Sequence, residues 1–438
     1  MAPQYAPSLR SRLAPLLLCL QTLFIIISAL YFKNRVTVNK DDLRNFYSGE
    51  FLLGGRAQKM KNYELFLFAE FQDVNVMVIL GFGFLSTFLV RHGFSSTGFN
   101  LLVAAIASQW ALILTGVESW FSAGRITVDL KSIVVAELCT ASALIAVGSV
   151  LGKANPVQLT VIVLLEVSGF VLNEWLLRTL LKVRPLSSIM LLHIFGALFG
   201  LTLTWIMYRK GSEDGFEKEK FDRKSGLFSS LGGTVFLWMF WPSFNSVLVP
   251  DWTPWRKLGA VSSTYLALAV SAVTAAAVSV LCSPKGKLNL IQMQSCILAG
   301  GVAVGVSMSA VHEPWEAMAI GFTAAIVSTI GFKYLKKHML LAYECHDTCA
   351  MLSTHGLPGL LGWLAQLVLQ IKDCDDHTVA TRFAVFHICT LFITISLSVS
   401  MGFLTGFLIK WNFCRPLQNK KCFDDQAFWE FPHLAAHK

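Results

Sequence analysis

The side chains that could do chemistry in this chain are ionisable groups set inside apolar stretches, where each is costly to keep and therefore informative. His193, His355, His387, Glu137 and Glu166 lie well inside such stretches, and Asp73, Glu174, His346 and Asp347 lie nearer their ends. An isolated histidine or glutamate in that setting ordinarily makes one interhelical hydrogen bond, and that is the reading for His387, Glu137 and Glu166. Two histidines differ because they share a pattern. His193-Ile-Phe-Gly-Ala-Leu-Phe-Gly200 and His355-Gly-Leu-Pro-Gly-Leu-Leu-Gly362 are both a histidine followed by small residues. Side by side in an apolar channel, two imidazoles stay neutral, because burial and a like-charged neighbour both oppose protonation. Each neutral ring offers one donor and one acceptor, so the pair can relay small polar molecules while rejecting permanent cations. The dense glycine and alanine around them lets helices close up and leaves a bore for something very small.

Those histidines must be positioned by membrane-spanning helices. Of the 438 residues, 54% are hydrophobic and 14% are charged, with 33 Phe, 12 Trp and a mean hydropathy of +0.58. Soluble proteins carry about 25% charged residues, and a soluble enzyme of this length would need a polar coat that this chain lacks. Apolar stretches long enough to cross about 30 Å of hydrocarbon fall at 13–32, 73–90, 99–119, 132–151, 156–177, 186–208, 226–249, 258–282, 288–308, 315–335, 347–371 and 383–410. The expected fold is therefore all-α, with twelve transmembrane helices. The first stretch is too long for a signal peptide and is followed by no small-residue cleavage site, so it reads as a retained helix. The mixed-charge connector 209–224 divides the rest into halves 73–208 and 226–371 of five spans each. An odd number of spans per half turns the halves over, which is the arithmetic of an inverted repeat. A pseudo-two-fold axis would then bring His193 and His355 together near the midplane.

Twelve spans put both ends on one side. Twenty of the 36 Lys and Arg fall on that side and 16 on the other, seven of the latter in the long 33–69 loop. Long loops carry a weak orientation signal, and without it the balance is 20 to 9, placing both termini in the cytoplasm. The domains expected are a cytoplasmic amino terminus at 1–12, a transmembrane domain at 13–410 and a cytoplasmic tail at 411–438. The net charge of +9 comes from scattered residues and forms no stripe for nucleic acid. The ten cysteines show no paired framework and no zinc spacing, so no metal site is expected. Phosphate-binding glycine loops, nucleophile elbows and cofactor motifs are missing too, and the chain is not read as an enzyme.

Particular runs carry a resemblance. Phe236-Leu-Trp-Met-Phe-Trp-Pro-Ser-Phe-Asn-Ser246, Leu298-Ala-Gly-Gly-Val-Ala-Val-Gly305, His346-Asp-Thr-Cys349, His355-Gly-Leu-Pro-Gly359 and the tail Phe423-Asp-Asp-Gln-Ala-Phe-Trp-Glu-Phe-Pro-His-Leu434 resemble the Rh family of the ammonium transporter superfamily. Phe71-Gln-Asp73 and Val150-Leu-Gly-Lys153 extend the likeness over essentially the whole chain. The tail and the amino terminus look most like the non-glycosylated Rh blood-group polypeptides, and the lack of any Asn-x-Ser/Thr sequon agrees with that branch.

The resemblance implies a trimer at the plasma membrane, each protomer conducting ammonia or ammonium past a twin-histidine pair that maps onto His193 and His355. It implies an outer gate of two phenylalanines, of which Phe244 matches one, while the place of the other is held by Leu138. Transporting members have an aspartate eight positions before the first histidine, and here that entrance position is Pro185. A proline can neither cap a helix nor order a recruitment site through its side chain. The retained histidines favour conduction. Leu138, Pro185 and the tail favour the alternative, a weakly conducting or structural subunit of an erythrocyte Rh complex, trimeric with an Rh-associated glycoprotein and open to a cytoskeletal adaptor at its tail. A carbon dioxide pore is a third reading, since that gas is also small and neutral.

Overall fold

Helix-forming apolar sequence is punctuated here by strong start and stop signals. The Asp129 carboxylate accepts from the backbone N–H of Ser132 and the Asp129 backbone N–H donates to the Ser132 hydroxyl in return, Asn155 and Gln158 form the same reciprocal box with Pro156 in the first turn, and Glu313 pairs with Glu316 around Pro314. Gly124, at φ +70°, ends the third long helix in the left-handed conformation that a side chain would strain. These signals delimit the elements of the computed structural model, which describes residues 9–34, 67–89, 92–208, 225–250, 253–414, 417 and 422–430. Most of the 33–69 loop, the connector 209–224 and both chain ends lie outside the described residues.

The helices are α1 (Leu9–Tyr31), α2 (Leu67–Leu85), α3 (Gly93–Ala123), α4 (Leu130–Val150), α5 (Pro156–Leu180), α6 (Pro185–Met207), α7 (Ser225–Ser246), α8 (Trp255–Cys282), α9 (Leu290–Ser307), α10 (Pro314–Tyr343), α11 (Leu357–Lys372) and α12 (His377–Ile409). Ten of them are long and apolar enough to cross a bilayer on their own, and α7 and α11 fill the remaining two places of the twelve-helix, multi-pass membrane fold. Two boundaries move from where hydropathy places them. The second span begins at Leu67 rather than 73, because Asp73 stays helical with its carboxylate accepting from the Ser243 hydroxyl of α7 at 2.5 Å. The eleventh begins later than 347, because residues 345–350 run as a buried, non-helical segment whose backbone N–H groups at Thr348 and Cys349 donate to the carbonyls of Ser149 and Gly148. A parallel pair of three-residue strands, Phe32–Asn34 with Ile126–Val128, joins the end of α1 to the connection after α3. It is too short to leave a periodicity in the sequence.

The two halves pack by one scheme. In the first, α3 lies against α4 and α5, and α4 runs along α6; in the second, α8 lies against α9 and α10, and α9 runs along α11. Between halves, first span meets first span (α2 with α7) and fifth meets fifth (α6 with the turn leading into α11). That is the packing of an inverted five-helix repeat. Close approach depends on glycine at a few places. A Cβ on Gly196 would meet the Ser142 carbonyl oxygen of α4 at 2.5 Å, and one on Gly362 would meet the Ala303 carbonyl oxygen of α9 at 2.1 Å.

A candidate pore lined by paired histidines

Both histidines sit beside irregular backbone. His193 follows a break at 190–191 within α6, and His355 lies in the π-turn Leu352–Gly356 that leads into α11. Such interruptions free helix backbone at membrane depth and are tolerated where they line an interior site. The structure brings the two side chains together across the half-to-half contact. Their Nδ1 atoms are 3.3 Å apart and their rings are nearly parallel, 5.3 Å between centroids at 15°. Both are buried, His193 at 0% and His355 at 2% exposure. One Nδ1 must donate and the other accept, so the rings hold opposite tautomers at that contact. The Nε2 of His193 has no polar partner among the described residues.

Aromatic rings close around the pair. Trp241 stacks on both histidines, at 6.0 Å from His193 and 6.4 Å from His355, Phe244 lies 6.1 Å from His193, and Phe82 stacks on His355 at 6.2 Å. Trp241 and Leu138 are fully buried, and Phe244 is 1% exposed. Such walls exclude bulk water and charge, and they leave the two imidazoles as the polar surface a small solute would meet.

A cleft of about 680 Å³ lies between α3, α5 and the starts of α4 and α6, and Pro185 forms part of its wall. Val135, Ile189 and Leu248 also line it, whereas Leu138, His193 and Phe244 do not. Pro185 takes the first position of its turn, Arg184 ahead of it is extended, and no side chain caps the N-terminus there.

The remaining candidates are placed elsewhere. The Glu166 carboxylate accepts from the Ser142 hydroxyl at 2.5 Å, tying α5 to α4, while its second oxygen and one oxygen of Glu137 have no partner among the described residues. His387 stacks between Trp363 and Phe383 and its Nε2 lies 2.9 Å from the Trp363 carbonyl oxygen. Asp347 accepts from the Leu352 backbone N–H at 2.9 Å, Lys153 donates to the His346 carbonyl, and Glu174 pairs with Arg178. None of these touches the histidine pair. Among the described residues no two cysteines are joined in a disulfide. Among the described residues no group of three or more His, Cys, Asp or Glu is placed to hold a metal ion.

Two contributors had no separate signal in the sequence. Trp241 is one of many aromatic residues in apolar runs, and what sets it apart is Gly301, where a Cβ would meet its indole at 2.9 Å. Asn245 ties α7 to its neighbours, donating to Thr264 Oγ1 at 3.1 Å and to the Gly301 carbonyl at 3.0 Å. Its place in the Trp-Pro-Ser-Phe-Asn run was the available cue.

Comparison with known proteins follows the same lines. Residues 45–418 match the profile of the Ammonium Transporter Family. The chain is 37% identical over 392 residues to the human ammonium transporter Rh type C, covering 85% of this chain and 81% of the relative. It is 38% identical over 383 residues to the Danio rerio ammonium transporter Rh type B, covering 83% of each. Among solved structures, the Nitrosomonas europaea Rh50 channel superposes with a TM-score of 0.71 at 27% identity, over 84% of this chain and 93% of that one. With the fold, the paired histidines and these relatives in agreement, the chain belongs to the ammonium transporter family, within its Rh branch.

Proposed function

We propose that this protein is an Rh-type membrane channel that conducts ammonia or ammonium through a pore in which His193 and His355 are the polar relay. The observation that carries the proposal is the buried 3.3 Å contact between the two Nδ1 atoms inside an aromatic wall. A solute that reaches this wall must shed water, and a permanent cation finds only a tryptophan and phenylalanine face and two neutral rings in place of its hydration. Ammonia, which exchanges hydrogen bonds with an imidazole as donor or acceptor, crosses at far lower cost. Phe244 and Leu138 form the outer constriction in this reading, and Pro185 takes the entrance position. The relatives of types B and C are named as ammonium transporters, and Rh50 is described as a channel with a mechanism of conduction.

In the same proposal the protomer sits in the plasma membrane with both termini cytoplasmic, assembles as a homotrimer or as a heterotrimer with an Rh-associated glycoprotein, and offers its tail to a cytoskeletal adaptor. The deciding experiment is uptake of methylammonium, with ammonia-driven internal alkalinisation, by cells expressing this chain alone. Flux above background that disappears in His193→Leu supports conduction. Background flux at normal surface expression, unchanged by a co-expressed glycosylated partner, refutes it. The second reading, a structural subunit of an erythrocyte Rh complex, is favoured by one specific feature, an outer constriction built with Leu138 and Pro185. A carbon dioxide pore would use the same bore and is separated by measuring acidification with that gas.

A further inference from the structure

A second cavity, of about 560 Å³, opens at the end of the bundle where α5 gives way to α6 and α11 to α12. It lies away from the docked tail: Phe423 donates its backbone N–H to the Gly152 carbonyl just ahead of α5, whereas the cavity takes in residues 181–184, just past the end of that helix. Two of its lining side chains, Lys182 and Arg184, are cationic and none is acidic. Both are exposed, and among the described residues neither makes an ion pair or a side-chain hydrogen bond. The acidic residues nearest in sequence, Glu174, Asp373, Asp375 and Asp376, do not line the cavity: Glu174 pairs with Arg178, Asp373 lies 3.6 Å from His312, and Asp376 caps α12. Lys182 holds φ +54°, so a cation stands where the backbone alone would favour glycine. Deeper in the wall the polar side chains are already engaged. Gln366 Nε2 donates to Ser309 Oγ at 2.7 Å, and His387 Nε2 lies 2.9 Å from the Trp363 carbonyl oxygen. An incoming ligand therefore meets two unpaired cations over a floor that includes Leu191, Trp363 and Phe383.

Depth in the bilayer decides which kind of anion fits. Toward the middle of the bundle α12 presents Val385, Phe386 and Ile388 and α11 presents Leu364 and Val368, each about half exposed, a surface that acyl chains cover. Phe386 belongs to both regions, lining the cavity while 51% exposed. The two cations thus stand at the polar margin of a lipid-facing surface, where lipid phosphates lie. We propose that this cavity is a phospholipid-binding site, in which Lys182 and Arg184 hold the phosphate of a head group and Phe386 packs on the start of an acyl chain. The guanidinium can take two phosphate oxygens at once, and the ammonium acts as a point charge. With two cations and no carboxylate in the wall, a head group that brings no cation of its own fits best. Phosphatidylglycerol should therefore bind more tightly than phosphatidylcholine.

Native mass spectrometry of the full chain, purified and delipidated in detergent, counts bound lipid directly and requires no flux. Phosphatidylglycerol, phosphatidylcholine and diacylglycerol with the same acyl chains are added in turn. Phosphatidylglycerol should bind ahead of phosphatidylcholine, and diacylglycerol, which lacks the phosphate, should bind least. A Lys or Arg near a membrane surface contributes about a fivefold gain in affinity for anionic lipid. Lys182→Gln and Arg184→Gln should therefore each weaken phosphatidylglycerol binding about fivefold, and together about twenty-five-fold. Lys285→Gln combined with Lys287→Gln removes an exposed basic pair outside the cavity and should leave binding unchanged. Each variant is first shown to be monodisperse and to unfold at the wild-type temperature without added lipid; should the double variant fail to fold, the two singles carry the test. Unchanged affinity in Lys182→Gln and Arg184→Gln overturns the proposal. So does an equal loss in the Lys285→Gln and Lys287→Gln control, which would trace binding to overall charge, or diacylglycerol binding as tight as phosphatidylglycerol. Glycerophosphate, which carries the phosphate without acyl chains, should not displace the lipid at equal concentration. If it does, the cavity takes a soluble anion and the lipid assignment is wrong.

Discussion

Replacing the two histidines singly and together separates a working pair from two unrelated buried rings. In His355→Leu, the Nδ1 of His193 loses the partner now 3.3 Å away, and its Nε2 already lacks one among the described residues. The side chain left behind is fully buried with both nitrogens unpaired. An unpaired buried polar group costs about 1–3 kcal/mol. His193→Leu should be the milder change, since it removes the nitrogen that has no partner and orphans only Nδ1 of His355. In the double replacement no imidazole remains, and apolar groups in both places can be nearly neutral. The three variants should therefore be non-additive, the double being more stable than the sum of the singles. Interhelical hydrogen bonds in membrane proteins average about 0.6 kcal/mol and reach about 1.7 kcal/mol, which sets the coupling expected. Reversible unfolding by mixed detergent titration measures the coupling, and stopped-flow alkalinisation of proteoliposomes measures flux. All three variants should lose or alter ammonia flux despite the recovered stability of the double. Additive stabilities together with unchanged flux would falsify the pairing argument, because the contact would then be neither an energetic unit nor a path.

Three further outcomes follow from other parts of the molecule. Leu138→Phe places a larger ring in a site with no exposed surface, so it should cost about 1–3 kcal/mol by overpacking; Pro185→Asp adds a carboxylate at the cleft and should raise methylammonium uptake measured at equal surface expression. Phe423→Ala empties a position that is 1% exposed, where the ring presses on Gly152 and meets His92 and His346 edge-on, and should destabilise the docked tail by about 3–5 kcal/mol, read as faster limited proteolysis after residue 414. The tail should also loosen on acidification. Burial holds the His92 imidazole down at about 3, so its contribution to stability is complete above the ordinary histidine value near 6.5 and is lost as pH falls from there toward 3. Asp425, 3.8 Å from that ring, runs oppositely: burial raises its carboxyl, so its own contribution declines as pH rises through the raised value. Corrected for the intrinsic exchange rate at each pH, the protection of 422–430 should therefore fall below about pH 6.5 in the wild type and lose that dependence in His92→Gln.

What could be seen in the sequence and what could not divides along the range of the interactions. Helices that face lipid reveal themselves by composition, because a span of about 20 apolar residues has few other uses. The even split of five and five spans around the connector was visible for the same reason, and the repeated histidine motif marked the place where the halves meet. Boundaries failed where a polar residue belongs inside a helix because a distant partner satisfies it, as Asp73 does through Ser243, or where apolar residues leave the helix to bond another strand of chain, as 345–350 does at Ser149 and Gly148. Neither partner is near in sequence, and no local propensity encodes them. The break at 190–191 and the π-turn at Leu352–Gly356 are similarly silent, although they aim both histidines. The tail shows the limit most plainly. Asp425 accepts from the backbone N–H groups of Phe94 and Ser95, each at 2.9 Å, and so caps a helix more than 300 residues earlier, while Trp429 donates to the Ser95 hydroxyl at 2.9 Å. A helix N-terminus left without a local cap, as at His92, needs an acceptor from somewhere. The same reasoning bears on Arg178. Glu174 and Arg178 stand at the i,i+4 spacing that any reader of helices pairs, yet no local signal shows that Glu118 arrives from α3 to share the same guanidinium, which sets two carboxylates on one cation.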